Sequence, residues 1–345
     1  MALGAGTFTV QNKILPGAYM NFVSAARADA SLSERGVTAL PLKLPSGPEG
    51  AVFSVRADEF IAKAPELFGC SAAAAELLPL REALTHAREV LAYRVGLSGE
   101  PTDEEYADFL QKLESRSFHT LGLPADVALP LKKMFADFTQ RMRETAGVKV
   151  QCVLYRYAEA DYEGVISVDN APELVYWTAG ASAGIAPGRS LMNTVYDGEL
   201  EVDCDYTAAQ LETLLKSGAF VFHRVGDTVR VLEDINTLTS LSAEKNRDFQ
   251  DNATVRLIDQ IATDIAGLFN ERYLGKSANN AAGRVALWSD IVAHHRQLEQ
   301  IGAIEDFSPE DIAVEQGGTK KSVVVRDRVT PAGAMAQLYM TVVIA

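Results

Sequence analysis

The segment Gly180-Ala-Ser182-Ala-Gly184 has the G-x-S-x-G spacing of a nucleophile elbow, in which a sharp strand-to-helix turn exposes a serine hydroxyl for acyl transfer. His223, His294 and His295 follow it and supply candidate bases, so an α/β serine hydrolase using Ser182 is one reading of the chain. The elbow needs a strong strand that ends at the first glycine. Here Pro172 to Thr178 reads as the start of a helix, and small residues at this spacing let a helix pack closely against a neighbour. Packing is the favoured role. Gly184 to Ser190 (G-I-A-P-G-R-S) is one residue too short for a phosphate loop and has Arg189 where the lysine belongs, which argues against nucleotide binding.

Asp197, Glu199, Glu201, Asp203 and Asp205 fall at every second position, so on a strand all their carboxylates share one face. That row suggests calcium, but it lacks the central glycine and final glutamate of an EF-hand loop. Leu200, Val202 and Cys204 lie between the acids and suit a buried face, so an amphipathic strand with a solvated or partner-facing acidic side is expected. His294 and His295 are adjacent and point to different sides of a helix, unlike the histidines of H-E-x-x-H, and His86 and His119 stand alone. No metal and no cofactor are expected. Lys320, Lys321, Arg326 and Arg328 form a small basic cluster, read first as a solvated hairpin and second as a contact for an acidic partner.

These residues sit in a chain of 345 residues, 48% hydrophobic and 23% charged, with a formal net charge of -14. Such an acidic chain lacks the clustered lysine and arginine face that nucleic acid requires. Cys70, Cys152 and Cys204 are odd in number and far apart, which speaks for a reducing compartment rather than a disulfide framework. No signal peptide and no membrane helix are expected.

Between residues 37 and 155, strand-like and helix-like runs alternate. Strands are expected at 37–44, 90–95, 118–123 and 148–155, and helices at 72–87, 102–113 and 124–146. Thr102 and Glu105 make a capping box, ahead of a stripe of Tyr106, Phe109, Leu110 and Leu113. The pattern predicts an α/β core with a mostly parallel sheet. Further on, a strand at 165–168, a helix at 172–185, a strand at 199–205, a helix at 207–216 and a hairpin around Gly226-Asp227 are expected. Beyond Asn236, long helices at 246–273 and 279–301 and two final strands predict a separate α+β domain.

The two ends are unusual. Met1 to Asn12 carries no charge and alternates through Thr7, Phe8, Thr9 and Val10. After Arg328 no charge follows, and the chain closes on Leu338, Tyr339, Met340, Thr341, Val342 and Val343. An apolar strand there either lies centrally in the chain's own sheet or pairs with another chain.

Three stretches together resemble the contractile tail sheath family of phages and of phage-tail-derived R-type bacteriocins. They are Gly6-Thr-Phe-Thr-Val-Gln-Asn-Lys-Ile-Leu-Pro-Gly-Ala-Tyr-Met-Asn-Phe22, Trp177-Thr-Ala-Gly-Ala-Ser-Ala-Gly184, and, most specific, Arg230-Val-Leu-Glu-Asp-Ile-Asn-Thr-Leu-Thr239. The resemblance covers nearly the whole chain. It implies a structural subunit, not an enzyme, that stacks as hexameric rings around a tail tube and contracts to drive the tube through a target envelope. It implies a linking arm over 1–24, an outer α/β domain over 25–234, a tube-proximal α+β domain over 235–328 and a second arm over 329–345. The arms would add strands to sheets of adjacent subunits through Thr7 to Val10 and Leu338 to Val343. Arg284, Arg296, Lys320, Lys321, Arg326 and Arg328 would face the tube. The implied partners are further copies, the tube protein, the baseplate and the tail terminator, with no nucleic acid and no membrane insertion. Synthesis would occur in a bacterial host cytoplasm, and the released particle would be extracellular. The β-sandwich that many relatives insert after the strand at 90–95 is expected to be absent. An unrelated filament or shell protein with exchanged strands is the third reading.

Overall fold

Leucine-rich and β-branched runs between Val37 and Phe220 build a single large sheet. The structure, a computed structural model, describes residues 32–341. β1 (Val37–Leu42) is buried along its whole length, as an apolar run without alternation requires. β2 (Val52–Arg56) lies at the sheet edge, antiparallel to the strand at Glu89–Arg94, and alternates toward solvent. α1 (Phe60–Phe68) follows. The helix expected over 72–87 is instead a 3-10 turn at Ala75–Leu77 and the short α2 (Leu78–Leu84). Pro79 explains the break, since proline is tolerated only in a helix's first turn.

β3 (Glu89–Arg94) runs parallel to β1. α3 (Asp103–Leu113) opens on the expected capping box: the Glu105 amide donates to Thr102 Oγ1 at 3.3 Å, and the Thr102 amide donates to Glu105 Oε2 at 2.8 Å. Tyr106, Phe109, Leu110 and Leu113 are its buried stripe. Only residues 95–101 separate β3 from that cap, so no additional domain lies between them. β4 (Thr120–Leu123) leads to α4 (Leu129–Glu144). This helix starts later than expected because Pro130 occupies its first turn, and the ring bars helix on its amino-terminal side. β5 (Gln151–Tyr155), β6 (Val165–Val168), α5 (Leu174–Gly184), α6 (Ala208–Lys216) and β7 (Ala219–Phe220) complete the layer.

The seven-stranded sheet has the order β2-β3-β1-β4-β5-β6-β7, and every pair except β2–β3 is parallel. α1, α2 and α5 pack on one face around Phe60, Phe68, Leu80 and Trp177. α3 and α4 cover the other with Phe109, Phe135 and Phe138. The hairpin of β8 (Phe222–Val225) and β9 (Thr228–Val231) turns through Gly226-Asp227, with Val225 paired to Thr228.

The strand expected over 199–205 does not form: the segment bends at 199–200 and joins no strand among the described residues. Its alternation survives, with the acids exposed and Val202 buried, because side chains rather than a ladder hold it. Arg81 grips Glu199 at 2.6 and 2.9 Å, and buried Glu82 accepts from the Tyr196 hydroxyl at 2.6 Å and the Glu199 amide at 2.5 Å.

The carboxyl-terminal body contains α7 (Asn252–Arg272), α8 (Ala281–Gln300), β10 (Ile304–Glu305), β11 (Ile312–Gln316), β12 (Val323–Asp327) and β13 (Thr330–Pro331). The helix expected from Asn246 begins with a 3-10 turn at Arg247–Gln250; Asp251 then caps α7, accepting from the Ala253 amide at 2.8 Å. β11 and β12 pair antiparallel, as do β10 and β13. The fold is thus a mostly parallel α/β core joined to an α+β body with small antiparallel sheets.

Ser182 lies inside α5, fully buried, with Oγ lacking any hydrogen-bond partner. The elbow geometry is absent, and the hydrolase reading falls with it. The glycines serve close packing instead: a Cβ on Gly180 would collide with the Ala83 carbonyl, and one on Gly184 with the His86 carbonyl. Gly180→Ala therefore forces α5 off α2 and costs about 1–3 kcal/mol in urea unfolding. Ser182→Ala removes an unpaired buried hydroxyl and leaves stability equal or raised by about 1 kcal/mol.

Candidate functional site

Around the α/β core the chemistry-bearing residues are spent on structure. Trp177 Nε1 and His86 Nε2 both meet Asp197 Oδ1, at 2.8 and 2.9 Å, tying the acidic segment to α5 and to the turn after α2. Cys152 is wholly buried in β5, and burial pushes its thiol up to about 12. At the carboxyl ends of β1 and β4, where open α/β sheets generally bind ligands, lies a cleft of about 550 Å³. Its walls include Pro41, Pro101, Pro124 and Pro130 in place of a glycine-rich loop, and its Lys43 is engaged by Glu100 at 2.7 Å.

The densest polar cluster joins the α/β core to α7. Arg143 forks onto Asp259 at 2.6 and 2.9 Å and donates to the Val150 carbonyl at 2.9 Å. Arg256 donates to Asp234 Oδ2 at 2.5 Å, with both side chains 1% exposed. Asp234 also accepts from the Leu191 amide at 2.8 Å and Asn252 Nδ2 at 3.1 Å, and Gln151 donates to Asn252 Oδ1 at 3.1 Å. Asn236 and Thr237 are buried beside it; Thr237 Oγ1 donates to the Tyr162 carbonyl at 3.0 Å. The stretch most specific in the sequence, Arg230 to Thr239, is therefore the junction itself. The first half of α7 is buried on nearly every side, polar residues included. Its expected apolar stripe through Val255, Ile258, Ile261, Ile265 and Leu268 describes only part of that contact.

The chain enters this junction at residues 32–36. Arg35 donates to the Ser182 carbonyl at 3.3 Å and to Gln260 Oε1 at 3.4 Å; burial, with Arg256 nearby, pulls its guanidinium down to about 10. Asp264 accepts from the Ser33 amide at 3.1 Å, Gln260 at 2.8 Å and His294 Nε2 at 2.9 Å. Burial raises its pKa, but the bonds from His294, Ser33 and Gln260 outweigh that and hold it below the ordinary carboxylate value.

The expected linking residues are only partly in view. Thr7, Phe8, Thr9, Val10, Val342 and Val343 lie outside the described residues. Beyond β13 the chain continues to Thr341 without joining a strand of its own sheets, and Leu338, Tyr339 and Met340 are 85%, 87% and 74% exposed. β12 pairs only with β11, so its other edge is open among the described residues. Alongside it runs a groove of about 510 Å³ lined by Ile261, Ile265, Phe269, Leu287, Val323 and Val325. Of the basic residues, Arg284, Lys320 and Lys321 line one pocket of about 410 Å³. Asn279 organises it, bonding the Lys320 carbonyl at 3.1 Å and Arg284 Nη1 at 3.0 Å. Arg326 pairs with Glu315 at 3.5 Å, Arg328 is exposed beyond β12, and Arg296 is exposed about 18 Å along α8 from Arg284.

Buried ion pairs that hold the body together, an exposed apolar tail and an open strand edge are the features of a structural subunit. Comparison with known proteins identifies which one: the chain belongs to the phage tail sheath family. It matches that family's central domain over residues 99–237, its C-terminal domain over 244–345, and the N-terminal region of domain III of the Gp18 tail sheath protein over 35–95. The phage-like element PBSX protein XkdK of Bacillus subtilis is 30% identical over 269 residues, 72% of this chain and 57% of that protein. The tail sheath protein of Clostridium phage phiCD119 is 27% identical over 186 residues, 51% of this chain and 52% of that one. The chain thus spans little more than half the length of these curated relatives. The crystal structure of the sheath tail protein of Desulfitobacterium hafniense superimposes with a TM-score of 0.82 at 27% identity, covering 92% of this chain and 97% of that one. The contracted helical sheath of the anti-feeding prophage shares the fold, with a TM-score of 0.65 at 15% identity over 96% and 99% of the two chains.

Removing one partner of a junction pair strands the other in a dry site. Asp234→Ala is expected to cost about 3–5 kcal/mol in chemical denaturation. A second test uses His119, whose Nδ1 accepts from the Val37 amide at 3.2 Å; burial, aided by Arg35, pushes its pKa down to about 4. Unfolded histidine titrates near 6.5, so below that value the unfolded chain binds the extra proton. Stability from this residue is complete above about 6.5 and is lost as pH falls toward about 4, on the order of 2 kcal/mol. The difference between wild type and His119→Gln across that window measures it.

Proposed function

We propose that this sheath subunit polymerises as stacked hexameric rings around a tail tube and contracts to drive the tube through a target cell envelope. The observation that supports the reading is that the chain carries both an exposed apolar segment, Leu338 to Met340, and an unpaired β12 edge with an apolar groove beside it. An extended segment added to an open edge gains main-chain hydrogen bonds, and the groove takes its alternate side chains. In this reading residues 329–345 of one copy pair with β12 of another. Residues 1–24, including Thr7 to Val10, make a second link. The Asp234–Arg256 and Arg143–Asp259 pairs let the α/β core and α7 move together while the links flex.

The partners are further copies, the tube protein, the baseplate and the tail terminator. Arg284, Lys320 and Lys321 suit an acidic strip of the tube better than Arg296, Arg326 or Arg328, because they converge on one pocket. Synthesis takes place in the host cytoplasm, and the assembled particle acts outside the cell. Neither catalysis nor a cofactor enters this reading.

Deletion of residues 337–345 is expected to abolish tubes in electron micrographs while the thermal transition of the α/β core stays within a degree or two, roughly the ±0.5 kcal/mol of a neutral surface change. Intact tubes from the truncated chain would sink the link. Charge reversal by Lys320→Glu and Lys321→Glu should weaken co-sedimentation with tail tubes, and the wild-type contact should weaken with added salt. An unchanged, salt-insensitive contact would move the tube surface elsewhere.

A further inference from the structure

Two buried histidines connect places that the assembly reading treats separately. Ser33, where the described chain begins to pack, bonds Asp264 of α7 through both its amide and its hydroxyl. Asp264 Oδ2 lies 2.9 Å from His294 Nε2. His294 Nδ1 lies 3.4 Å from His295 Nδ1, and His295 Nε2 is 3.0 Å from Asp327 Oδ2. Asp327 is the last residue of β12 and lines the groove beside its open edge. The chain of contacts is continuous from residue 33 to residue 327. Its two imidazoles are almost wholly buried, at 1% and 0% exposure.

The donor pattern is directional. The Ile291 carbonyl, 3.1 Å from His295 Nδ1, can only accept, so that nitrogen carries a proton. His294 donates from Nε2 to the Asp264 carboxylate, and its ring packs against that of His295 with centroids 5.4 Å apart. His295 Nε2 makes no directed hydrogen bond, and its approach to Asp327 Oδ2 is a packing contact. Neighbours on α8 lie 100° apart around the helix, which is how one ring reaches α7 and the next reaches β12. Phe307 packs on the His295 ring at 5.2 Å and excludes water from that side. Close packing on all sides means that a shift at one end is passed on rather than absorbed.

We propose that Asp264, His294 and His295 couple the packing of residues 33–36 to the capture of a second copy's strand at the β12 edge. His294 and His295 are positioning residues here: they touch no partner themselves. The half that concerns strand capture rests on the assembly reading above; the internal coupling does not. Coupling is reciprocal, so tightening either end must tighten the other. In a sheath, a subunit that has received a neighbour's strand would then hold the root of its own amino-terminal segment more firmly.

Amide hydrogen exchange on the full-length chain tests both halves. Ser33→Ala should speed exchange at residues 323–327, and Asp327→Asn should speed it at 34–36, each by at least about fivefold. His294→Leu should abolish that cross-talk; should it fail to fold, His294→Gln retains a donor toward Asp264 and removes the ring contact with His295. Exchange at the far end within a factor of about two of wild type in both Ser33→Ala and Asp327→Asn would overturn the coupling. In a second arm, a synthetic peptide of residues 329–345 is added. Protection at both 323–327 and 34–36 supports strand capture coupled to the root, and protection at 323–327 alone overturns it. A peptide that does not bind at β12 removes the strand-capture half together with the assembly reading, while the exchange cross-talk still decides the internal coupling.

Discussion

Dehydrating a guanidinium costs several kcal/mol unless a carboxylate and further acceptors replace its water. Arg256 and Arg143 are both buried in this molecule, and the rest of the architecture is arranged around satisfying them. Asp234 must sit at the end of the stretch that follows the β8–β9 hairpin, Asp259 must face α4, and α7 must start where Asn252 reaches Gln151 of β5. Apolar packing alone tolerates sliding, but a forked arginine–aspartate pair has one geometry. These pairs therefore fix the orientation of α7 against the sheet more sharply than the leucines and isoleucines around them.

That constraint explains what was legible in the sequence. The sheet, its order of helices and the Thr102 cap were readable because period, capping and turn chemistry are local. The small-residue helix was readable too, since Gly180 and Gly184 sit on the face that meets α2. The acidic row kept its alternation but not its ladder: Arg81 and Glu82, more than a hundred residues upstream, do the work that a strand partner was expected to do. The helix starts at Leu78 and Leu129 moved because prolines set them.

The junction was harder to read. Polar residues on α7 look like a solvated face until their partners are known, and the partners Arg143 and Asp234 lie in segments far away along the chain. The one usable signal was the Arg230 to Thr239 stretch, specific to the family before its chemistry was apparent. The basic residues were grouped by proximity in sequence, whereas the fold unites Arg284 with Lys320 and Lys321 and leaves Arg296 apart.

The buried pairs also carry a temperature signature. The free-energy cost of dehydrating charges falls as temperature rises, while the gain from burying apolar surface levels off. The seam between the sheet and α7 is accordingly strengthened by warming relative to the aromatic cores on either face of the sheet. A particle assembled from such subunits would keep its internal joints at temperatures where its apolar contacts have stopped improving.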